Sequence, residues 1–390
     1  MLRLLHTADV HLGARHTDLG DRAAALRERQ FAAFTASIDL AVSEKVDLFL
    51  IAGDLFDSNV QPRRSVDRTV AELRRLVEAK IRTVIAPGTH DVYDRASIYR
   101  AYDLPALAGA VGSDLLTVLD PDRPDVLLST LDVVVHGRCF ATKRAPHSPL
   151  RGFDAAKDER ASWHVGLLHA AIAIPNQTDR DEVVITTEEI EASHLDYLAL
   201  GHWHSTSQGT AGRTVWAYSG APEAVAIDQD RAGSVLLVTL DEKARKNRVT
   251  IEPRTVAKTR FERLDLDAAT LAGQPALIEL LAARADPDLV LDVRLIGVRP
   301  DELDLEPLEV EEAVKGAFLR ARVRDVSQPA LTEGVLPPAE TIVGAFIRNV
   351  EGRIADLEAS GDDPAQREAA DLRDVLRLGR LLLAGHEVTL

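Results

Sequence analysis

Leu48-Phe49-Leu50-Ile51-Ala52-Gly53-Asp54-Leu55-Phe56-Asp57 is the stretch that decides the fold. Five consecutive apolar residues between Asp47 and Gly53 predict a short parallel strand buried on both faces, and Gly53 ends it. Open α/β sheets place their ligands outside the carboxyl ends of the strands, so a carboxylate directly after such a strand sits where chemistry is expected. Asp54 is therefore a candidate metal ligand. Aspartate is also a preferred helix cap, and taken alone Asp54 fits either role. The other strand ends decide between the two.

Upstream, the apolar run Leu2 to Thr7 reaches Asp9 and His11, an i, i+2 pair that would face one side of an extended segment. Arg22 to Val42, with Phe31, Phe34, Ile38 and Val42 at helical spacing, predicts a crossover helix whose aromatics are core residues. Downstream, Arg63 to Ala79 reads as a helix and Ile81 to Ala86 as a strand ending in Pro87-Gly88-Thr89-His90-Asp91. Strands with polar tips alternating with helices are the βαβ signature. From Leu115 to Val135 the short apolar runs read as antiparallel strands. Val165 to His169 ends in histidine, and Leu195 to Leu200 ends in Gly201-His202-Trp203-His204. After the turn Ala217 to Glu223, Val235 to Leu240 and Val249 to Glu252 look like closing strands of the same layer.

At 390 residues and 46% hydrophobic content, the chain can bury more than one core. Neither a signal peptide nor an apolar stretch of about 18 residues is visible, so a cytoplasmic, non-membrane protein is expected. The single cysteine, Cys139, allows no internal disulfide and excludes a cysteine-built metal site. Residues 1 to 250 carry 29 Lys and Arg against 35 Asp and Glu, and residues 251 to 390 carry 17 against 27. Acidity concentrated in the last third would repel a phosphate backbone, whereas the first part can hold a local basic patch.

The expected division is an α/β domain over 1–255 that holds the strand tips, a small α+β module over 256–326 and a helical hairpin over 339–385, with the proline-rich stretch 327–338 as linker. The hairpin's second helix carries Leu372, Val375, Leu376, Leu378 and Leu382, more apolar surface than a lone hairpin can hide. A partner for it is expected.

Five strand tips thus deliver Asp9 and His11, Asp54, Thr89 and His90, His169, and His202 and His204. A single histidine is more often a packed residue than a ligand; this many at one end of the strands is hard to explain as packing. Oxygen and nitrogen donors without sulfur suit Mn, Fe or Zn. Asp9-Val10-His11, Gly53-Asp54-Leu55-Phe56-Asp57, Gly88-Thr89-His90-Asp91, His169 and Gly201-His202-Trp203-His204 together resemble the calcineurin-like metallophosphoesterases. Within them, Leu5 to Gly13, Gly53 to Asp57 and Tyr218 to Glu223 resemble the DNA-repair exonuclease branch, SbcD and its double-strand-break counterparts.

That resemblance implies a four-layer-type α/β sandwich and two divalent ions, with manganese expected. It implies that Asp9, His11 and His204 hold one ion, that His169 and His202 hold the other, and that Asp54 bridges them. Thr89 stands where the family's ligand is asparagine; its hydroxyl is a shorter and poorer donor, so the second ion should bind more weakly. His90 would stabilise the transition state or protonate the leaving oxygen, held by a carboxylate such as Asp91, and Asp57 would support or cap rather than ligate. The implied activity is metal-dependent exonuclease, with endonuclease as a further possibility, on DNA. The alternatives are a phosphodiesterase or phosphatase for nucleotides or other small substrates, or a weakly active scaffold. Arg138, Lys143, Arg144, His147 and Arg151, in a stretch without acids from Val133 to Phe153, with Arg63, Arg64, Arg74 and Arg75, could contact phosphates; a solvated loop and helix face is the alternative. By resemblance, the hairpin would dock an SbcC-like coiled-coil ATPase, and the catalytic domain would form a homodimer.

Overall fold

The chain enters as strand β1 (Leu2–Thr7), returns through helix α1 (Ala23–Ser43) to β2 (Leu48–Ala52), and through α2 (Arg63–Glu78) to β3 (Arg82–Ala86). The crossovers make β1, β2 and β3 parallel neighbours. This computed structural model describes residues 1–15, 23–174, 177–178, 183–224, 231–244, 247–300, 303–329, 337–360 and 363–383. Arg22, at the expected start of α1, lies outside them, as do most of the linker, Gly361 and Asp362 of the hairpin loop, and the end of the hairpin at 384–385. The chain divides into two compact units, 1–259 and 260–390.

In the first unit, short helices α3 (Ile98–Ala101) and α4 (Leu104–Leu107) lead to β4 (Leu116–Val118), which is parallel to β3. The antiparallel expectation from Leu115 onward therefore fails at β4, because a helical crossover rather than a tight turn precedes it. It holds for β5 (Asp125–Leu128) and β6 (Val133–Gly137), which form a hairpin. Then follow β7 (Trp163–His169), the two-residue pair β8 (Ala171–Ile172) and β9 (Val184–Ile185), helix α5 (Thr187–Ala192), β10 (Tyr197–Gly201), β11 (Ser207–Ala211) and β12 (Thr214–Tyr218). Strands β6, β7, β10 and β12 run parallel in sequence across this second sheet.

The last strands of the unit, β13 (Ser234–Leu240) and β14 (Val249–Thr255), do not close the layer of β12 as expected. They return to the first sheet, where β13 pairs antiparallel with β1. The run Val235 to Val238 is too apolar for an edge, and beside β1 it is covered on both sides. The sheet orders are β14-β13-β1-β2-β3-β4 and β11-β12-β10-β7-β6-β5.

Three apolar layers hold the unit together. Phe34 and Ile38 of α1 and Leu73 and Leu76 of α2 pack on Phe49 and Ile51 of β2, while Val42, at the end of α1, is 37% exposed. On the opposite face, Leu48 and Leu50 meet Val165, Leu167 and Tyr197, so the two sheets lie face to face. Behind the second sheet, Leu168, Leu198 and Ile190 form the outer layer. The result is the four-layer α/β sandwich, with β2 buried on both faces.

The second unit contains β15 (Arg260–Asp267), α6 (Gln274–Ala282), β16 (Asp286–Ile296), β17 (Val298–Arg299), α7 (Pro307–Ala313), β18 (Phe318–Asp325) and β19 (Gln328–Pro329). Its parallel sheet β15-β16-β18 packs Leu291 and Val293 against Leu277, Leu281 and Val310. Helices α8 (Ile342–Ser360) and α9 (Asp363–Leu383) pack through Val350, Ile354 and Ala369, with Leu372 and Leu376 at the contact. Val375 and Leu382 of the expected stripe stay exposed. Among the described residues, no helix is long and apolar enough to cross a membrane.

Candidate metal centre

Where β1, β2, β3, β7 and β10 end, the two sheets touch. A Cβ on Gly53 would lie 2.3 Å from His169 Nδ1, so the residue after β2 must be glycine on space alone, and its φ of 87° adds a second reason. The loops that carry the polar residues are not extended. Asp9, His11 and Asp54 have φ near 50° and His202 has φ 106°, which corrects the expectation that Asp9 and His11 converge by strand alternation. Instead, Asp9 N donates to Gly53 O and His11 N to Asp54 O, pinning the β1 loop on the β2 loop with both residues left-handed. Such backbone strain persists where the surrounding structure over-determines it, which is typical of ligand sites.

The side chains converge accordingly. His11 Nε2 and His204 Nε2 are 3.2 Å apart, and Asp9, His11 and His204 offer donor atoms within 4.8 Å of one another. Asp9, Asp54 and His169 form a second such group, buried throughout. Asp54 Oδ2 lies 3.2 Å from His169 Nε2 and 3.8 Å from His11 Nε2, so it reaches a histidine of each group, and Asp9 belongs to both. Its Oδ1 is occupied by His90 N at 2.8 Å, and Asp9 accepts from His202 N at 3.0 Å. His202 rests edge-on against His169 with ring centroids 5.4 Å apart and belongs to neither group.

These donors fit a divalent cation. His169 Nδ1–H donates to Ala52 O at 3.0 Å, which fixes the ring and aims Nε2 at Asp54, where that buried nitrogen completes no hydrogen bond. Burial opposes charge on both groups, yet each stabilises the other: the His169 pKa is pushed up to about 10 by Asp54, and Asp54 is held far below the usual carboxylate range by His169. Buried carboxylates so dependent on positive charge suit a centre where cations replace the proton. His204 is pushed down by burial and His11 is raised: burial opposes its charge, but its contact with Asp57 and the nearby Asp54 and Asp9 outweigh it.

At the rim, His90 Nδ1–H donates to Asp57 O at 2.9 Å, and the exposed ring stands edge-on against His11 with ring centroids 4.7 Å apart, which leaves Nε2 uncommitted to that bond. Asp91 does not hold His90, contrary to expectation. It is buried and accepts from Gly88 N, Phe56 N and Tyr99 Oη, tying the β2 and β3 loops together. The chain direction after β3 turns Asp91 inward while His90 faces out. Asp57 Oδ1 lies 3.5 Å from His11 Nδ1 and 3.9 Å from His90 Nδ1, and Thr89 is buried between Gly88 and His90. Tyr99 was not legible in the sequence, since nothing in its spacing marks it as the partner of Asp91.

Of the basic residues, Arg138 is neutralised by Asp125 at 2.7 Å and lies over the Phe153 ring, so it does not present a free charge to a phosphate. Arg63 pairs with Asp67, Arg75 with Glu72 and Asp39, and Arg74 donates to Leu107 O. Lys143, Arg144, His147 and Arg151 are exposed.

The family model for calcineurin-like phosphoesterases matches residues 2–206. The DNA double-strand break repair protein Mre11 of Aeropyrum pernix is 30% identical over 250 residues, 63% of this chain and 59% of that protein. The protein of the same name from Halobacterium salinarum is 26% identical over 379 residues, 96% of this chain and 90% of that one. That of Sulfurisphaera tokodaii is 37% identical over 206 residues, 52% and 49%. The chain therefore spans between about half and nine-tenths of the length of these relatives.

Proposed function

Because the chain belongs to the calcineurin-like phosphoesterases, we propose that it is a DNA nuclease that hydrolyses phosphodiester bonds in end processing, with two divalent ions, manganese foremost. Two features support the reading. Asp54 Oδ2 lies within 3.8 Å of His11 and 3.2 Å of His169, with Asp9 common to both donor groups, and the relatives named as DNA break-repair proteins match over most of the chain in the Halobacterium case.

Asp9, His11 and His204 would hold one ion, His169 the other, with Asp54 shared and His202 and Thr89 completing the second. When bound, such ions polarise the phosphoryl oxygens and lower the pKa of coordinated water toward about 7. The chain supplies the rest. His90 is anchored through Nδ1 on Asp57 O, so Nε2 can contact a phosphate at the rim or protonate the leaving oxygen. Asp91 and Tyr99 hold the two loops in register. Exposed Lys143, Arg144 and Arg151 would track the backbone. Residues 256–326 would cap the catalytic domain, the 339–385 hairpin would dock a coiled-coil ATPase of the SbcC type through Val375 and Leu382, and a second copy would pair with the catalytic domain.

The test is digestion of linear single- and double-stranded DNA with manganese, beside a small phosphodiester. DNA turnover should fall about 10²- to 10⁴-fold in His90→Ala, and DNA binding should weaken steeply with salt. Turnover of the small diester with none of DNA would overturn the nuclease reading and leave a small-substrate phosphodiesterase.

A further inference from the structure

The outer face of the second sheet carries another group of donors that the centre above does not use. We propose that His136, His164 and Asp158 form a third cation site, for a borderline divalent transition ion of the zinc type. His136 lies within β6, His164 lies within β7, and Asp158 follows the 3-10 turn Ala155–Lys157, so three separate segments supply one donor each. Their donor atoms lie within 4.8 Å of one another.

Two imidazole nitrogens, His136 Nε2 and His164 Nδ1, face each other at 3.1 Å. Two zinc–nitrogen bonds of about 2.0 Å at a tetrahedral angle span about 3.3 Å, so the gap matches a shared ion. The pair His11 and His204, in the centre already described, shows nearly the same separation, 3.2 Å. His136 Nε2 is 3.9 Å from Asp158 Oδ2. On the other side of the ring, His136 Nδ1 lies 3.3 Å from Asp125 Oδ1, the outer carboxylate that commonly orients a metal-bound histidine. Both histidines are buried, and Phe153 covers His136 with ring centroids 5.0 Å apart.

Protonation agrees with this geometry. Burial and the neighbouring His136 hold His164 below its ordinary pKa, leaving a neutral ring with a lone pair. Arg160 competes for Asp158, with Nε on Oδ1 at 2.9 Å and Nη2 on Oδ2 at 2.6 Å. Half-exposed, it can release Oδ2 to an ion and keep Oδ1. Three protein donors leave the fourth tetrahedral position to water.

The experiment is a crystal of the full chain grown with zinc and measured at the zinc edge, together with zinc counts for the parent, His136→Gln and His164→Gln after exhaustive dialysis. An anomalous peak between His136 Nε2 and His164 Nδ1 is expected, with one equivalent lost in each variant and the Asp9–Asp54 centre unchanged. No peak there, or equal zinc in parent and variants, overturns the proposal in favour of a plain hydrogen bond between the two histidines. Should the variants fail to fold, the parent crystal alone decides.

Discussion

His169 concentrates the chemistry of single side chains in this protein. Its raised pKa, about 10 without an ion, arises from Asp54 against the opposing effect of burial. Below that value Nε2 carries a proton that a cation must displace. Each ion bound there releases a proton, so affinity should rise about tenfold per pH unit from near 6.5 toward 10, measurable by titration calorimetry in buffers of different ionisation enthalpy. Affinity that is flat over this range would mean that His169 does not take part. Thr89 is the complementary case: its hydroxyl offers less than an amide carbonyl, and Thr89→Asn should increase retention of the second ion and raise activity with manganese. Equal metal content in both forms would show that threonine costs nothing. The ligand residues were legible as residue types at strand ends. Their backbone was not, because a left-handed φ at Asp9, His11 and Asp54 follows from tertiary hydrogen bonds between loops rather than from local propensity.

At the level of elements, the decisive feature is that strand tips from two sheets meet. The apolar run Leu48 to Ala52 revealed its own burial, and the alternation of helices and strands revealed the parallel order of β1, β2 and β3. What a single run cannot state is which sheet it joins, and so β13 and β14 were misplaced while β4 was given the wrong direction. The loop clamp built on Asp91 was hidden for a related reason, since its partners Phe56 and Tyr99 lie on other elements. Asp91→Ala would leave the Phe56 and Gly88 amides and the Tyr99 hydroxyl without an acceptor. At about 1–3 kcal/mol for each unpaired buried group, the chain should lose several kcal/mol in denaturant unfolding and lose manganese affinity with it. A variant that unfolds at the parent's midpoint would show that the clamp is not structural.

Taken as a whole molecule, a barely negative first part carries the donor-rich centre, and a strongly acidic last third carries a parallel sheet and a helical pair with exposed apolar residues. The sandwich itself was foreseen from five short motifs in order, whereas the histidine cluster behind the second sheet was not, because His136 and His164 lie within strand runs rather than at a shared tip. The most direct measurement is the number of manganese ions held per chain, by equilibrium dialysis, in the parent and in Asp54→Asn. Two ions in the parent and at most one in the variant are expected, with DNA hydrolysis lost in parallel. Two ions retained in Asp54→Asn, or none in the parent at saturating manganese, would contradict a shared centre at the strand ends.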